Sequence, residues 1–60
     1  MERQYYLVFG KTVSKKGTLE YLTKCVDKYD DVIDTKDKKG ITHRQFITET
    51  GKVVAEIHVL

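Results

Sequence analysis

The chain contains no proline and no tryptophan, one cysteine and four glycines among its 60 residues. Without proline there is no proline-rich linker or recognition segment. The lone Cys25 permits no internal disulfide, which fits a reducing, cytoplasmic setting. Together with only two histidines, His43 and His58, it falls short of a four-ligand structural zinc site. No apolar run approaches the ~20 residues of a membrane span, so no membrane partner is expected. The five apolar or aromatic residues that precede Gly10 are too few for a signal peptide. Strong charge of either sign is missing too: 11 Lys+Arg against 9 Asp+Glu leave a net charge of +2. That is modest for a protein whose partner is nucleic acid.

What is present suits a small globule. Charged residues make up 33% and hydrophobic ones 40% of the chain, so residues 1–60 read as a single domain. Size scaling gives a folded surface of roughly 4,000 Å² against about 10,000 Å² unfolded. At ~25 cal/mol per Å² on the apolar share, burial roughly balances the ordering entropy. A marginal fold is expected, one to which a partner or self-association could matter.

Residues 4–9, QYYLVF, are aromatic, β-branched and nearly all apolar, the pattern of a strand buried on much of both faces. Residues 10–17, GKTVSKKG, read as a basic loop with a glycine at each end. A helix is expected over 18–29, where Leu19, Leu22, Val26 and Tyr29 form one stripe and Cys25 flanks it. The remainder is strand-like. Asp37-Lys38-Lys39-Gly40 and Thr48-Glu49-Thr50-Gly51 each place glycine where a type I turn with a G1 bulge needs a left-handed residue. With both turns of that type, Asp34 opposes Arg44 and Val32 opposes Phe46, then Arg44 opposes Glu56 and Phe46 opposes Val54. An Asp34–Arg44–Glu56 charge ladder thus runs beside a Val32–Phe46–Val54 apolar ladder, each pair contributing roughly 0.2–1 kcal/mol. A tighter second turn would instead pair His43 with His58.

The expected fold class is α+β: a β-α-β-β-β domain with one helix packed on one face of a four-stranded mixed sheet. Alternation puts Ile33, Ile41, Ile47, Val53, Ala55, Ile57 and Val59 on the helix side, joined by Tyr5, Leu7 and Phe9. A right-handed crossover would make the first strand parallel to a neighbour. The opposite face would then hold Tyr6, Val32, Phe46 and Val54, with Val8 and Leu60, around Asp34, Arg44 and Glu56. A large apolar patch rimmed by charge marks a contact surface. Tyr6, Val32, Asp34, Arg44, Phe46, Val54 and Glu56 are therefore the candidate partner-binding residues, with Arg44 as the polar centre.

A second candidate is an anion site. Lys11, Lys15 and Lys16 precede the helix start, where free amides and the helix dipole favour negative charge. Other patterns fail on their spacing. Gly10-Lys11-Thr12 matches the end of a phosphate-binding loop, but the first glycine of that motif falls at Tyr5. The acidic run Asp27, Asp30, Asp31, Asp34, Asp37 lacks the spacing and glutamate of a calcium loop. On the bulged register His43 and His58 point to opposite faces. Cys25 has no sequence-local His or Arg to activate it. No catalytic residue, cofactor or metal is expected, and the chain does not read as an enzyme.

By analogy of size alone, the expected function is that of a small non-enzymatic protein-binding module. Such a protein, of phage or mobile-element type, would inhibit or modulate a larger host or rival protein by direct contact. Two alternatives stand beside it: a nucleic-acid binder using the lysine loop and sheet face, and a structural homodimer.

Overall fold

The computed structural model describes residues 3–60. It contains five strands and one helix in the order β1 (Tyr5–Phe9), β2 (Thr12–Gly17), α1 (Leu19–Lys24), β3 (Asp31–Lys36), β4 (Thr42–Ile47) and β5 (Val53–Val59). The strands form one sheet, ordered β2-β1-β5-β4-β3. Every pairing in it is antiparallel. The fold is therefore mostly β, and the expected four-stranded mixed sheet of an α+β domain is corrected on three counts.

The first correction is an added strand. The basic segment after Gly10 pairs with β1 from Phe9↔Thr12 to Tyr5↔Gly17. Gly10-Lys11 is a two-residue hairpin turn, with Gly10 at φ 61 and, among the described residues, no non-glycine residue at positive φ. Glycine at the first central position is what a type II′ turn demands. The second correction concerns direction. β1 pairs antiparallel with β5, from Tyr5↔Val59 to Val8↔Glu56, where a right-handed crossover would have made it parallel to its neighbour. The chain instead passes from one sheet edge, β2, to the other, β3, and carries α1 across a single face on the way.

The third correction is helix length. Thr18 caps α1, its Oγ1 accepting the Tyr21 amide at 3.2 Å. After only six helical residues Cys25 already closes the helix, its amide donating to the Leu22 carbonyl at 3.1 Å. β-branched Thr23 and Val26 and the acidic residues that follow, at the negative end of the dipole, oppose continuation. The apolar stripe nevertheless keeps its facing beyond the helix. Leu22 and Val26 are buried, and the Tyr29 ring lies 4.9 Å from that of Phe46. Among the described residues, no helix is long and apolar enough to cross a membrane.

The core consists of Tyr5 and Leu7 from β1, Leu22 and Val26 from the crossing segment, Phe46 from β4, and Ala55 and Ile57 from β5. Partly buried Val32, Val54, Val59, Leu19, Cys25 and Ile41 pack around it. Tyr5, Leu7, Ala55, Ile57 and Val59 thus lie on the helix side, as alternation predicts. Ile33, Ile47 and Val53 do not, for a reason that sits at one residue.

Both expected glycine turns form, with Gly40 at φ 79 and Gly51 at φ 86. Next to the second turn, Ile47 pairs with Val53 as the bulged turn requires. The register then shifts, so that Phe46 pairs with Ala55, Gln45 with Glu56 and Arg44 with Ile57. Val54 is the extra residue of a β-bulge, and it packs toward the core with Ala55. A one-residue slip exchanges the faces of a strand pair. Phe46, Val32, Arg44 and Asp34 consequently face the helix, while Ile33, Gln45, Ile47 and His43 face away.

Candidate functional site

The partner-binding residues expected from sequence are divided between the two faces. Phe46 is fully buried at 0% exposure, and Val32 and Val54 pack beside it. The apolar ladder exists, but it is core beneath the crossing segment rather than an open anchor. Half of the charge ladder also forms. Arg44 Nε and Nη2 donate to the two Asp34 carboxylate oxygens at 2.7 and 3.1 Å. A third bond runs from Arg44 Nη1 to Thr23 Oγ1 at 2.9 Å. Thr23 Oγ1 itself donates to the Leu19 carbonyl at 2.7 Å. The bidentate pair holds the Asp34 carboxyl below its usual range, chiefly through the hydrogen bonds from Arg44, and raises the guanidinium in turn. Arg44 thereby ties the helix to the sheet. It does not meet Glu56, which the bulge sends to the other face, where its Oε1 accepts Gln45 Nε2 at 2.9 Å.

The lysines of the anion-site expectation are separated as well. Lys11 lies in the hairpin turn, and Lys15 and Lys16 are consecutive residues of β2 that point to opposite faces. Lys15 reaches the helix side, its Nζ 5.9 Å from the centre of the Tyr21 ring. Lys16 lies on the open side, paired with Tyr6. The structure does not bring the three together.

The face opposite the helix is uncovered, and its register can be read strand by strand. One row across the sheet runs Lys16, Tyr6, His58, His43, Thr35. The next runs Val13, Val8, Glu56, Gln45, Ile33. Ile47 and Val53 lie beyond it. Tyr6 and Glu56 are the only two sequence-expected partner residues found here. Val8 is on this face as expected; Val13 escaped because residues 10–17 read as a loop, and Ile33, Ile47 and Val53 because the bulge was not anticipated. Its signal was present: Val53-Val54-Ala55 interrupts the period of two with three small or β-branched apolar residues in succession.

At the centre of this face the two histidines meet. His43 Nδ1 lies 3.1 Å from His58 Nδ1, with ring centroids 5.3 Å apart and planes inclined by 50°. The expectation that they point to opposite faces is thus corrected by the same bulge. Each imidazole has a carboxylate behind it. His43 Nε2 is 3.2 Å from Asp37 Oδ2, and His58 Nε2 is 3.7 Å from Glu56 Oε1. Asp37 is fixed by its turn, since its Oδ1 accepts the Lys39 and Ile41 amides at 2.8 and 3.0 Å. Those bonds, the Ile41 amide first and His43 next, hold its carboxyl below the ordinary range. The Tyr6 ring flanks His58 with centroids 5.7 Å apart.

No protein-family model, no curated protein and no solved structure matches this chain.

Proposed function

We propose that the protein is a binding module that docks a protein partner on the uncovered face of its sheet. The observation that carries this reading is the contrast between that face and the two sheet edges. An unpaired edge strand is the usual route to strand addition, and native proteins blunt edges they do not use. Here β2 carries a bulge between its pairings with Leu7 and Val8, together with Lys15 and Lys16. The other edge, β3, carries Asp31, Asp34 and Lys36. Both edges are thus guarded. Inward of Lys16 at its rim, the open face has no such device: Val13 and Ile33 are 52% and 42% exposed, and Val8, Tyr6 and Ile47 lie between them. The accessible surface, 4564 Å², exceeds the roughly 4,000 Å² expected for this mass, in keeping with a sheet covered on one side. The polar centre of Gln45, Glu56 and the two histidines would set orientation within an apolar surround. A single free cysteine fits a cytoplasmic setting for this contact.

The test is capture of partners from a cell lysate by immobilised protein, compared across two double variants. Val8→Lys with Ile33→Lys places charge on the open face, and Lys15→Glu with Lys16→Glu reverses the basic edge. Loss of the retained protein with the first variant and retention with the second, in salt and after nuclease, is the expected result. Retention by the face variant overturns the proposal. Loss of all retention after nuclease treatment, or with the lysine variant alone, overturns it in favour of nucleic acid. A face on which the chain pairs with itself would show as twice the monomer mass in sedimentation, reduced to monomer by the face variant.

A further inference from the structure

We propose that His43 and His58 form a two-imidazole chelate for a divalent transition-metal ion, most strongly Cu(II), on the open face of the sheet. The inference is independent of whether a protein docks there. It begins with the carboxylates. Asp37 Oδ2 lies at 3.2 Å from His43 Nε2, and Glu56 Oε1 at 3.7 Å from His58 Nε2. A carboxylate beside one ring nitrogen draws the imidazole proton to that nitrogen. His43 is therefore biased toward the tautomer with hydrogen on Nε2, while Glu56 at 3.7 Å is beyond hydrogen-bond range of His58, and the Nδ1 atoms of the two rings face each other. Those two atoms are 3.1 Å apart. At that separation one Nδ1–H donates to the other Nδ1, and a metal ion that displaces this proton to solvent takes both nitrogens as donors.

The distance suits such a cation. With metal–nitrogen bonds of about 2.05 Å, two donors 3.1 Å apart subtend about 98° at the metal. That angle lies between the cis angle of a square-planar site and the tetrahedral one. Both donors come from adjacent strands of the sheet, β4 and β5, and Asp37 is itself clamped by the amides of its turn. The donor pair is thus pre-organised, and the His43 tautomer is set from behind by Asp37 in the manner of a carboxylate–histidine–metal arrangement. Among the described residues no third His, Cys, Asp or Glu completes a cluster. Water or an outside ligand would take the remaining positions, which distinguishes this site from a closed structural one. Imidazole donors follow the general order of affinity that peaks at Cu(II), with Ni(II) and Zn(II) weaker.

The experiment titrates Cu(II) alone into the full chain carrying Cys25→Ser, which removes a thiol that would reduce the metal. Binding is followed by calorimetry and by electron paramagnetic resonance. One ion per chain with hyperfine splitting from two imidazole nitrogens is expected. His43→Ala and His58→Ala should each weaken binding at least tenfold and reduce the splitting to one nitrogen, with circular dichroism reporting that the sheet persists. Unchanged affinity in either variant overturns the site, as does a single coordinated nitrogen in the parent. A measurement that needs no histidine variant guards against unfolding: Cu(II) should broaden the NMR signals of His43, His58, Tyr6 and Thr35 first. Broadening centred at the chain start or near residue 25 overturns the proposal.

Discussion

Replacing Phe46 by alanine separates the two faces of this protein more sharply than any other single change. On the register that the sequence alone suggests, Phe46 is an open-face anchor, and its removal would leave stability within about 0.5 kcal/mol of the parent. In the structure it is fully buried, flanked by Val32, Val54 and Ala55, with the Tyr29 ring tilted against it at 4.9 Å. Truncation of a buried phenylalanine costs about 3–5 kcal/mol, from lost transfer energy and the cavity left behind. A single core in a chain of this length rarely supplies more than about 3–5 kcal/mol in all. Cost and total are equal to within their spread, so the variant should be about half unfolded, or more, at 25 °C. Urea titration followed by circular dichroism reads this directly. The parent should show a cooperative transition, and Phe46→Ala a truncated one whose midpoint approaches zero denaturant. Ile33→Ala, at a position 42% exposed on the other face, should move the midpoint by less than about 1 kcal/mol equivalent. A Phe46→Ala variant that loses under about 1 kcal/mol would refute the register and, with it, the identity of the open face.

Further consequences concern the ties that hold this arrangement. Arg44→Met removes the clamp between Asp34 and Thr23, and because Asp34 is about half exposed the loss should be only about 1 kcal/mol in a thermal melt. Since the Asp34 carboxyl is held below its unfolded range by Arg44, its contribution is present above the unfolded pKa and is lost as pH falls through the folded one. Melts from pH 6 down to pH 2 should therefore decline more steeply for the parent than for Asp34→Asn. Equal slopes would show that the pair is not formed. Deleting Val54 should remove the bulge while leaving Ala55, Ile57 and His58 on their present faces, at about 1–2 kcal/mol for the lost valine packing. Deleting Glu56 instead turns Ile57 outward, and that chain should show no cooperative melt.

How much of this was legible in the sequence depends on whether the signal was local. The two glycine turns were, because a left-handed residue at Gly40 and Gly51 is a demand of one residue's backbone. They carried the β3–β4 register with them, so that Asp34 meets Arg44 and Val32 meets Phe46 as expected. The β1–β2 hairpin was legible in principle at Gly10-Lys11, between apolar Val8-Phe9 and Thr12-Val13. Three lysines on one segment made it resemble a loop, although lysine on an edge strand is a common guard against pairing. The helix stripe was correct in facing and too long in extent. Helical spacing reports which residues turn toward the core, and Val26 and Tyr29 do so from a segment that is not helical.

The bulge at Val54 belongs to a different kind of information. A turn can be read from four residues, but a bulge is chosen by the sheet as a whole. Without it, Phe46 on the helix side would oblige Ile57 to face away, or Ile57 on the helix side would expose Phe46. One extra residue lets both large side chains reach full burial, at the expense of one disrupted step in the ladder. The one side chain that would otherwise be exposed, worth roughly 1.5–3 kcal/mol when buried, outweighs one such interruption, at about 0.5–1.5 kcal/mol for a hydrogen bond. The same shift moves His43 opposite His58 and separates Glu56 from Arg44. The chemistry of the open face is thus a consequence of how the core on the other side was satisfied. A reading that places the core first, and asks where an extra residue lets both Phe46 and Ile57 be buried, arrives at the histidine pair without any motif to announce it.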